Sequence, residues 1–295
     1  MPPELIMFAG PNGSGKSTVT NSYRSQPGFP EIYVNPDEIA LTLPGTSMEK
    51  AYRAAQIADS QREECIKRRH SFAFETVASH PSKYLFLQKA REAGYETSLI
   101  FISTSDPQYN VSRVKQRVAS GGHDVPEDKI VSRYYRSLQL LALGAEIASN
   151  TIVIDNTGLP LIMATASQGK IIALDSKAPD WVTNYFVEPL ARRSQERREI
   201  ESIAANLSLR VGKANLSGSH SGEIVGLTQN YALQRISDER SLIHELVAIG
   251  DSIRLGEYTN ISYQDGAGTA IRAITPDISI MPDLSRLDSE QDLDR

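Results

Sequence analysis

Apolar residues in this chain come in two rhythms. Near-continuous apolar runs at Leu5-Ile6-Met7-Phe8-Ala9, Phe72-Ala73-Phe74, Thr97 to Ile102 and Ile152-Val153-Ile154 predict strands covered on both faces, with Glu31 to Val34 as a shorter one. Between them the spacing is helical. Ser47 to Arg69 carries a stripe at Met48, Ala51, Tyr52, Ala55, Ala58, Cys65 and Ile66; Ser82 to Ala93 stops at Gly94; Asp106 to Ala119 breaks at Gly121-Gly122; Pro126 restarts a helix that continues to about Ser149. Strands alternating with helices predict an α/β fold, a parallel sheet with helices on both faces, whose ligands gather at the carboxyl ends of the strands. The polar strand ends Asn35, Glu75 and Asp155 are therefore expected to share one crevice.

The rhythm changes after Gly158. Leu161 to Leu174 reads as a hairpin turning at Ser167-Gln168-Gly169-Lys170, and Trp181 to Phe186 as an aromatic closing piece. The expected organisation is a first domain over 1–186, a charged helical linker over 187–206, a small β-rich module over 207–282 and a disordered acidic tail over 283–295. A length of 295 residues agrees with this division, at about 150 residues per domain. The formal net charge of -5 argues against a general nucleic-acid or anionic-membrane binder, so any basic surface must be local. A single cysteine, Cys65, excludes an internal disulfide and suits a reducing cytoplasm, and it is expected on the apolar face of its helix. No apolar run approaches the ~20 residues of a membrane helix and the start is not that of a signal sequence, so a cytoplasmic protein is expected.

Candidate chemistry begins at Gly10-Pro11-Asn12-Gly13-Ser14-Gly15-Lys16-Ser17-Thr18, directly behind the first apolar run. The spacing is that of a phosphate loop: glycines let backbone amides converge on an anion at a helix N-terminus, Lys16 reaches the outer phosphates, and the Ser17 hydroxyl is placed for Mg²⁺. This predicts nucleoside triphosphate binding. Phosphoryl transfer further requires a carboxylate near the acceptor and cations over the transferring group. Asp37, after the second strand, is the candidate base; its ordinary role would be to favour the dipole of a helix in which Asn35 caps, Pro36 opens and Glu38 completes a capping box. Glu75 ends an apolar strand, where a carboxylate needs a partner: a metal-bound water, a substrate hydroxyl, or a salt bridge to an arginine. Arg113, Arg117, Arg133 and Arg136 flank Gly121 to Pro126 and read either as a lid over phosphates or as a solvated helix face. Arg133 and Arg136 lie on adjacent ridges, so both can point one way. Beyond Asp155 no strand ending in an acid suggests a Walker B element, and the histidines show no zinc spacing.

The ordered blocks Gly10 to Thr18, Asn35 to Ala40, Phe74-Glu75-Thr76, Arg117 through His123-Asp124-Val125-Pro126 to Ser137, and Asp155-Asn156-Thr157 resemble the zeta-toxin family of P-loop kinases over residues 4 to 186. The resemblance implies a P-loop kinase-like sheet and an ATP- and Mg²⁺-dependent kinase acting on a hydroxyl of a nucleotide sugar, UDP-N-acetylglucosamine or a relative. It also implies a toxin whose partner is an antitoxin protein. On matching positions Asp37 would be the base, Lys16 the phosphate clamp, Ser17 the metal ligand, Glu75 and Thr76 substrate-side groups, Arg117, Arg133 or Arg136 the lid cations, and Asn156 a contact on the nucleobase side. His123, taken as a substrate-side residue of the lid tip, stands where some members carry an arginine. From Ser221 to Gly266 the chain is similar to the KfrB-type module of plasmid-encoded proteins, which implies a partner of its own. Two other readings stay open: a kinase of another nucleotide or a nucleic-acid end, made less probable by the lack of an extended basic stripe, and a binding protein switched by nucleotide through its C-terminal module.

Overall fold

Five apolar residues in succession make a strand that must be covered on both sides, and β1 (Glu4–Ala9) is so placed. The computed structural model describes residues 2–122, 124–215, 218–250, 253–264 and 267–272. Alternate side chains of β1 enter different cores, Leu5 and Met7 joining one and Phe8 another that includes Val19, Ile100 and Ile102. After α1 (Lys16–Arg24) come β2 (Ile32–Val34), α2 (Pro36–Leu41), α3 (Ser47–Arg68), β3 (Phe72–Thr76), α4 (Pro81–Glu92) and β4 (Glu96–Ser103). Then follow α5 (Pro107–Ala119), α6 (Glu127–Gln139), α7 (Leu141–Ile147) and β5 (Asn150–Asp155). The strands order as β2-β3-β1-β4-β5 and all run parallel, the α/β arrangement expected from the sequence. The hairpin β6 (Leu161–Ser167) and β7 (Lys170–Leu174) extends this sheet antiparallel to β5.

A second sheet is built from β8 (Arg210–Lys213), β9 (Ser219–Leu227), β10 (Tyr231–Arg235), β11 (Arg240–Glu245), β12 (Tyr258–Gln264) and β13 (Ala267–Arg272), in the order β13-β12-β9-β10-β11-β8. A short turn α10 (Leu246–Ile249) follows β11. The two sheets are joined by α8 (Asp180–Val182), a π-helical turn over Thr183–Val187, and α9 (Glu188–Asn206). One stripe of α9 is buried at Leu190, Arg193, Glu196, Ile200 and Ala204; Leu190 belongs to the core of the first sheet, Ile200 and Ala204 to that of the second. The charged segment is thus folded against both units. The acidic stretch 283–295 lies outside the described residues, as do Asp265 and Gly266. Among the described residues no helix is long and apolar enough to cross a membrane.

Two expectations are corrected here. Glu38 does not complete a capping box: Asn35 alone caps α2, accepting from the Asp37 N–H, while the exposed Glu38 pairs with Arg24 of α1 at 2.8 Å. The capping box opens α3 instead, between Thr46 and Glu49. Nor does the first half of the α3 stripe enter the core. Met48 is 84 % and Tyr52 66 % exposed, and burial begins at Ala54 and continues through Ala58 and Cys65, because the N-terminal half of α3 runs out along a cleft.

Candidate active site

β1 delivers the chain into the loop from Gly10 to Gly15, where the neighbours leave no room for a side chain. A Cβ on Gly10 would sit 1.9 Å from the Ile102 carbonyl oxygen, and one on Gly15, whose φ is +84°, 2.2 Å from Asn156 Nδ2. The loop is buttressed from outside: Asn156 Nδ2 donates to the Ser14 carbonyl at 2.8 Å, and Asn110 Nδ2 to the Asn12 carbonyl at 2.7 Å. Asn156 is itself buried, so the side chain expected on the nucleobase side has its hydrogen bond beneath the loop. Lys16 Nζ donates to the carbonyls of Gly10 at 2.8 Å and Pro11 at 2.9 Å. Desolvation lowers its pKa to about 8, against the opposing pull of Glu75 and Asp37.

Parallel pairing sets Glu75 beside Phe8, and Thr76 beside Ala9, at the mouth of the loop. Glu75 is buried, and its partners are Ser17 Oγ, which donates to Oε2 at 3.0 Å, and Tyr33 Oη, which donates to Oε1 at 2.6 Å. Neither is an arginine. An apolar strand ending in an acid that holds the phosphate-loop serine is the Walker B arrangement, so the search for that element at Asp155 is corrected to Phe72-Ala73-Phe74-Glu75. Asp155 does not join the crevice: its carboxylate accepts from Trp181 Nε1 at 2.8 Å and from the Thr157 N–H and hydroxyl at 3.0 Å, fastening the end of β5. Tyr33 was not legible as a site residue, although it stands two positions before Asn35, whose Nδ2 donates to Tyr33 Oη at 3.1 Å.

The walls enclose a cleft of about 780 Å³. Asp37 lines it, and its carboxylate has no hydrogen-bond partner among the described residues; Glu75 and Thr76 line it too. On the other side, Val111, Val114, Val125 and Ile130 make a small core that joins α5 to α6 as one hairpin. Arg113, Arg117 and Arg133 line the cleft from this hairpin, and Arg133 Nη1 reaches Asn12 Oδ1 at 3.3 Å. Arg136 is exposed and outside the cleft, so the two arginines of α6 do not point one way. His123 lies outside the described residues. Arg113 Nη2 donates to the carbonyls of Asn156 at 2.8 Å and Thr157 at 3.1 Å, whereas its buried Nη1, beside Gly15, has no hydrogen-bond partner among the described residues, and neither has the buried Ser14 Oγ. A buried donor without a partner is costly unless a ligand supplies the acceptor. Together with the crowded glycines of the loop and the paired Ser17 and Glu75, these donors fit a nucleoside triphosphate and its metal ion.

Residues 5–141 match the family model described as AAA domain. Solved structures that the chain resembles include the AvrRxo1-ORF1:ORF2 complex (16% identity, TM-score 0.48, 59% of this chain and 61% of that one), so the chain spans about six-tenths of that protein's length. Another is the PezAT chromosomal toxin-antitoxin system of Streptococcus pneumoniae (16% identity, TM-score 0.43, 67% of this chain and 86% of that one). An uncharacterized protein of Haemophilus influenzae is 30% identical over 132 residues, which are 44% of this chain and 92% of that one. With its phosphate loop, five-strand parallel order and arginine-bearing helical hairpin, the chain has a P-loop kinase fold and belongs to the family of that Haemophilus influenzae protein.

Proposed function

We propose that the chain is a phosphotransferase that moves the γ-phosphoryl group of ATP to a hydroxyl of a small molecule. The single observation that carries this reading is Asp37: a carboxylate with no hydrogen-bond partner among the described residues, lining the same cleft as the phosphate loop and three arginines. A pure nucleotide switch has no use for such a base, whereas in-line transfer needs one to accept the proton of the attacking hydroxyl. Lys16 clamps the outer phosphates, and Arg117 and Arg133 balance charge as the bond to the donor lengthens. Asn156 holds the loop on its outer side, Arg113 keeps Nη1 for the triphosphate while its Nη2 bonds the Asn156 and Thr157 carbonyls, and Arg136 serves the outer face of the lid. Mg²⁺ bound with the triphosphate, on the side of Ser17 and Glu75, would neutralise charge on the transferring group.

The acceptor in this reading is a nucleotide sugar, with Thr76, Glu75 and His123 on its side of the cleft. The chain would act in the cytoplasm as a toxin restrained by an antitoxin protein, with a KfrB-type module over 207–282 serving a further partner. What supports this finer part is the motif resemblance. Asp37→Asn tests the core of the proposal: phosphorylated product from labelled ATP should fall at least a hundredfold while ATP affinity stays within twofold. Full turnover in that variant would overturn it. A panel of nucleotide sugars, dinucleotides and oligonucleotides then identifies the acceptor.

A further inference from the structure

Apart from the phosphate loop and the lid, the cleft holds a second basic locus. Arg62 of α3 and Lys83 of α4 both line it, next to Ala51 and Ala55, whose small side chains leave that wall flat. Arg62 occupies a position in the buried stripe of α3, four residues after Ala58, and is only 6 % exposed. Its guanidinium lies over the ring of Phe74 at 5.0 Å and of Phe86 at 5.7 Å, which fixes its direction. Arg62 Nη2 donates to Asp59 Oδ1, and Lys83 Nζ approaches the same oxygen at 3.6 Å. Asp59 is more than half exposed; Glu63, the other carboxylate acting on Arg62, is engaged by Lys89 at 2.5 Å. Two cations from different helices therefore share one solvated carboxylate. Burial lowers the pKa of Arg62 to about 10, and burial followed by the charge of Arg62 lowers that of Lys83. A mere rivet between α3 and α4 would match charge with charge and would not open onto the cleft.

We propose that Arg62 and Lys83 form an anion subsite that binds a phosphate group carried by the acceptor, with the planar fork of Arg62 as its fixed half and Lys83 as its adjustable half. This rests on reading the cleft as the acceptor site. It commits to an acceptor that already bears phosphate before it is phosphorylated. Asp59 then acts as the placeholder that the phosphate replaces.

Two measurements separate this proposal from the kinase reading. In the first, the phosphate loop is filled with Mg²⁺ and a non-hydrolysable ATP analogue, and acetylation of individual lysines is followed by mass spectrometry with inorganic phosphate or chloride at equal ionic strength. Phosphate should slow acetylation of Lys83 at least threefold relative to the exposed Lys67, and Arg62→Met should abolish the difference. Equal slowing of the two lysines by phosphate, or protection that survives Arg62→Met, would overturn the subsite. In the second, paired acceptors with and without phosphate are compared, UDP-N-acetylglucosamine against N-acetylglucosamine and nucleoside monophosphates against nucleosides. The phosphate-bearing member should be preferred at least a hundredfold in kcat/KM, and Lys83→Gln, a change at a partly exposed position, should cut that preference at least tenfold. Equal use of the neutral partners would overturn the proposal. If Lys83 is protected but no acceptor is turned over, the kinase reading fails and the anion subsite stands.

Discussion

Lys16 is a cation whose solvation has been taken over by two loop carbonyls, and burial lowers its pKa to about 8. Phosphate would restore the ordinary preference for the charged form, so ATP binding must draw in a proton wherever the free lysine has lost it. The sign follows: between pH 6 and 7 affinity should be flat, and above about pH 8 it should weaken by up to tenfold per pH unit, as titration calorimetry in buffers of different ionisation heat can measure. Lys16→Met should bind weakly at every pH and lose the slope. Tyr33 offers a second test at this scale. Its hydroxyl holds Glu75 on one side and accepts from Asn35 on the other, so a single oxygen links the helix that carries Asp37 to the acid that holds Ser17. Removing a hydrogen bond to a buried carboxylate costs about 1.5–3 kcal/mol, and Tyr33→Phe should therefore lower kcat by about 10- to 100-fold in steady-state assays with little change in the KM for ATP. Of these residues Lys16 was legible from spacing alone. Tyr33 was not, because one tyrosine in a short strand carries no local signal; its role exists only through β2 pairing with β3. Arg62 did leave a trace, a charged residue in the stripe that otherwise reads Ala58 and Cys65.

Among the elements, the α5–α6 hairpin is where a small change should act at a distance. Gly122 abuts the preceding helix, and a Cβ there would lie 2.6 Å from Arg117 Cγ and 3.0 Å from the Arg117 carbonyl oxygen. Gly122→Ala should displace Arg117 and lower kcat about tenfold, while urea denaturation changes by no more than about 1 kcal/mol, since the site is at a loop tip. The turn at Gly121-Gly122 and the parallel strands were readable because glycine pairs and apolar runs are local signals. The exposed half of α3 was not readable. Its apolar positions have helical period whether they face a core or a cleft, and only the course of the helix past the sheet decides which.

Across the whole molecule, the two sheets are joined by more than a linker. Arg193, 5 % exposed on α9, donates to Glu146 of α7 and to Glu245 of β11, both at 2.6 Å, and Tyr231 Oη of β10 donates to Glu146 Oε2 at 2.6 Å. Arg193→Ala would leave two carboxylates facing each other without their cation, a loss of about 3–5 kcal/mol. Calorimetry should then show a lower first transition and separate melting of the two units. In the sequence Arg193 is one of several arginines on a charged helix, and nothing local marks it as the one that is buried. The same long-range fastening governs the lid. α5 is pinned near its start, where Asn110 and Arg113 bond to Asn12, Asn156 and Thr157, and α6 is pinned near its end, where Tyr134 Oη donates to the Thr104 carbonyl and Ser137 Oγ to that of Val77. The hairpin is thus fastened to the body at both handles, and its far end, where Lys115 pairs with Glu127 at 2.9 Å, lies beyond those fastenings. Seven residues from Glu127 to Arg133 make an arm of about 10 Å, so a swing of ~10° carries the tip about 2 Å. In such a swing Arg133, beside the fastened end and bonded to Asn12, would shift little, and Arg117, at the other end of the hairpin, would shift most. In the proposed transfer, one arginine would then be set in place before substrate arrives and the other would be delivered by closure.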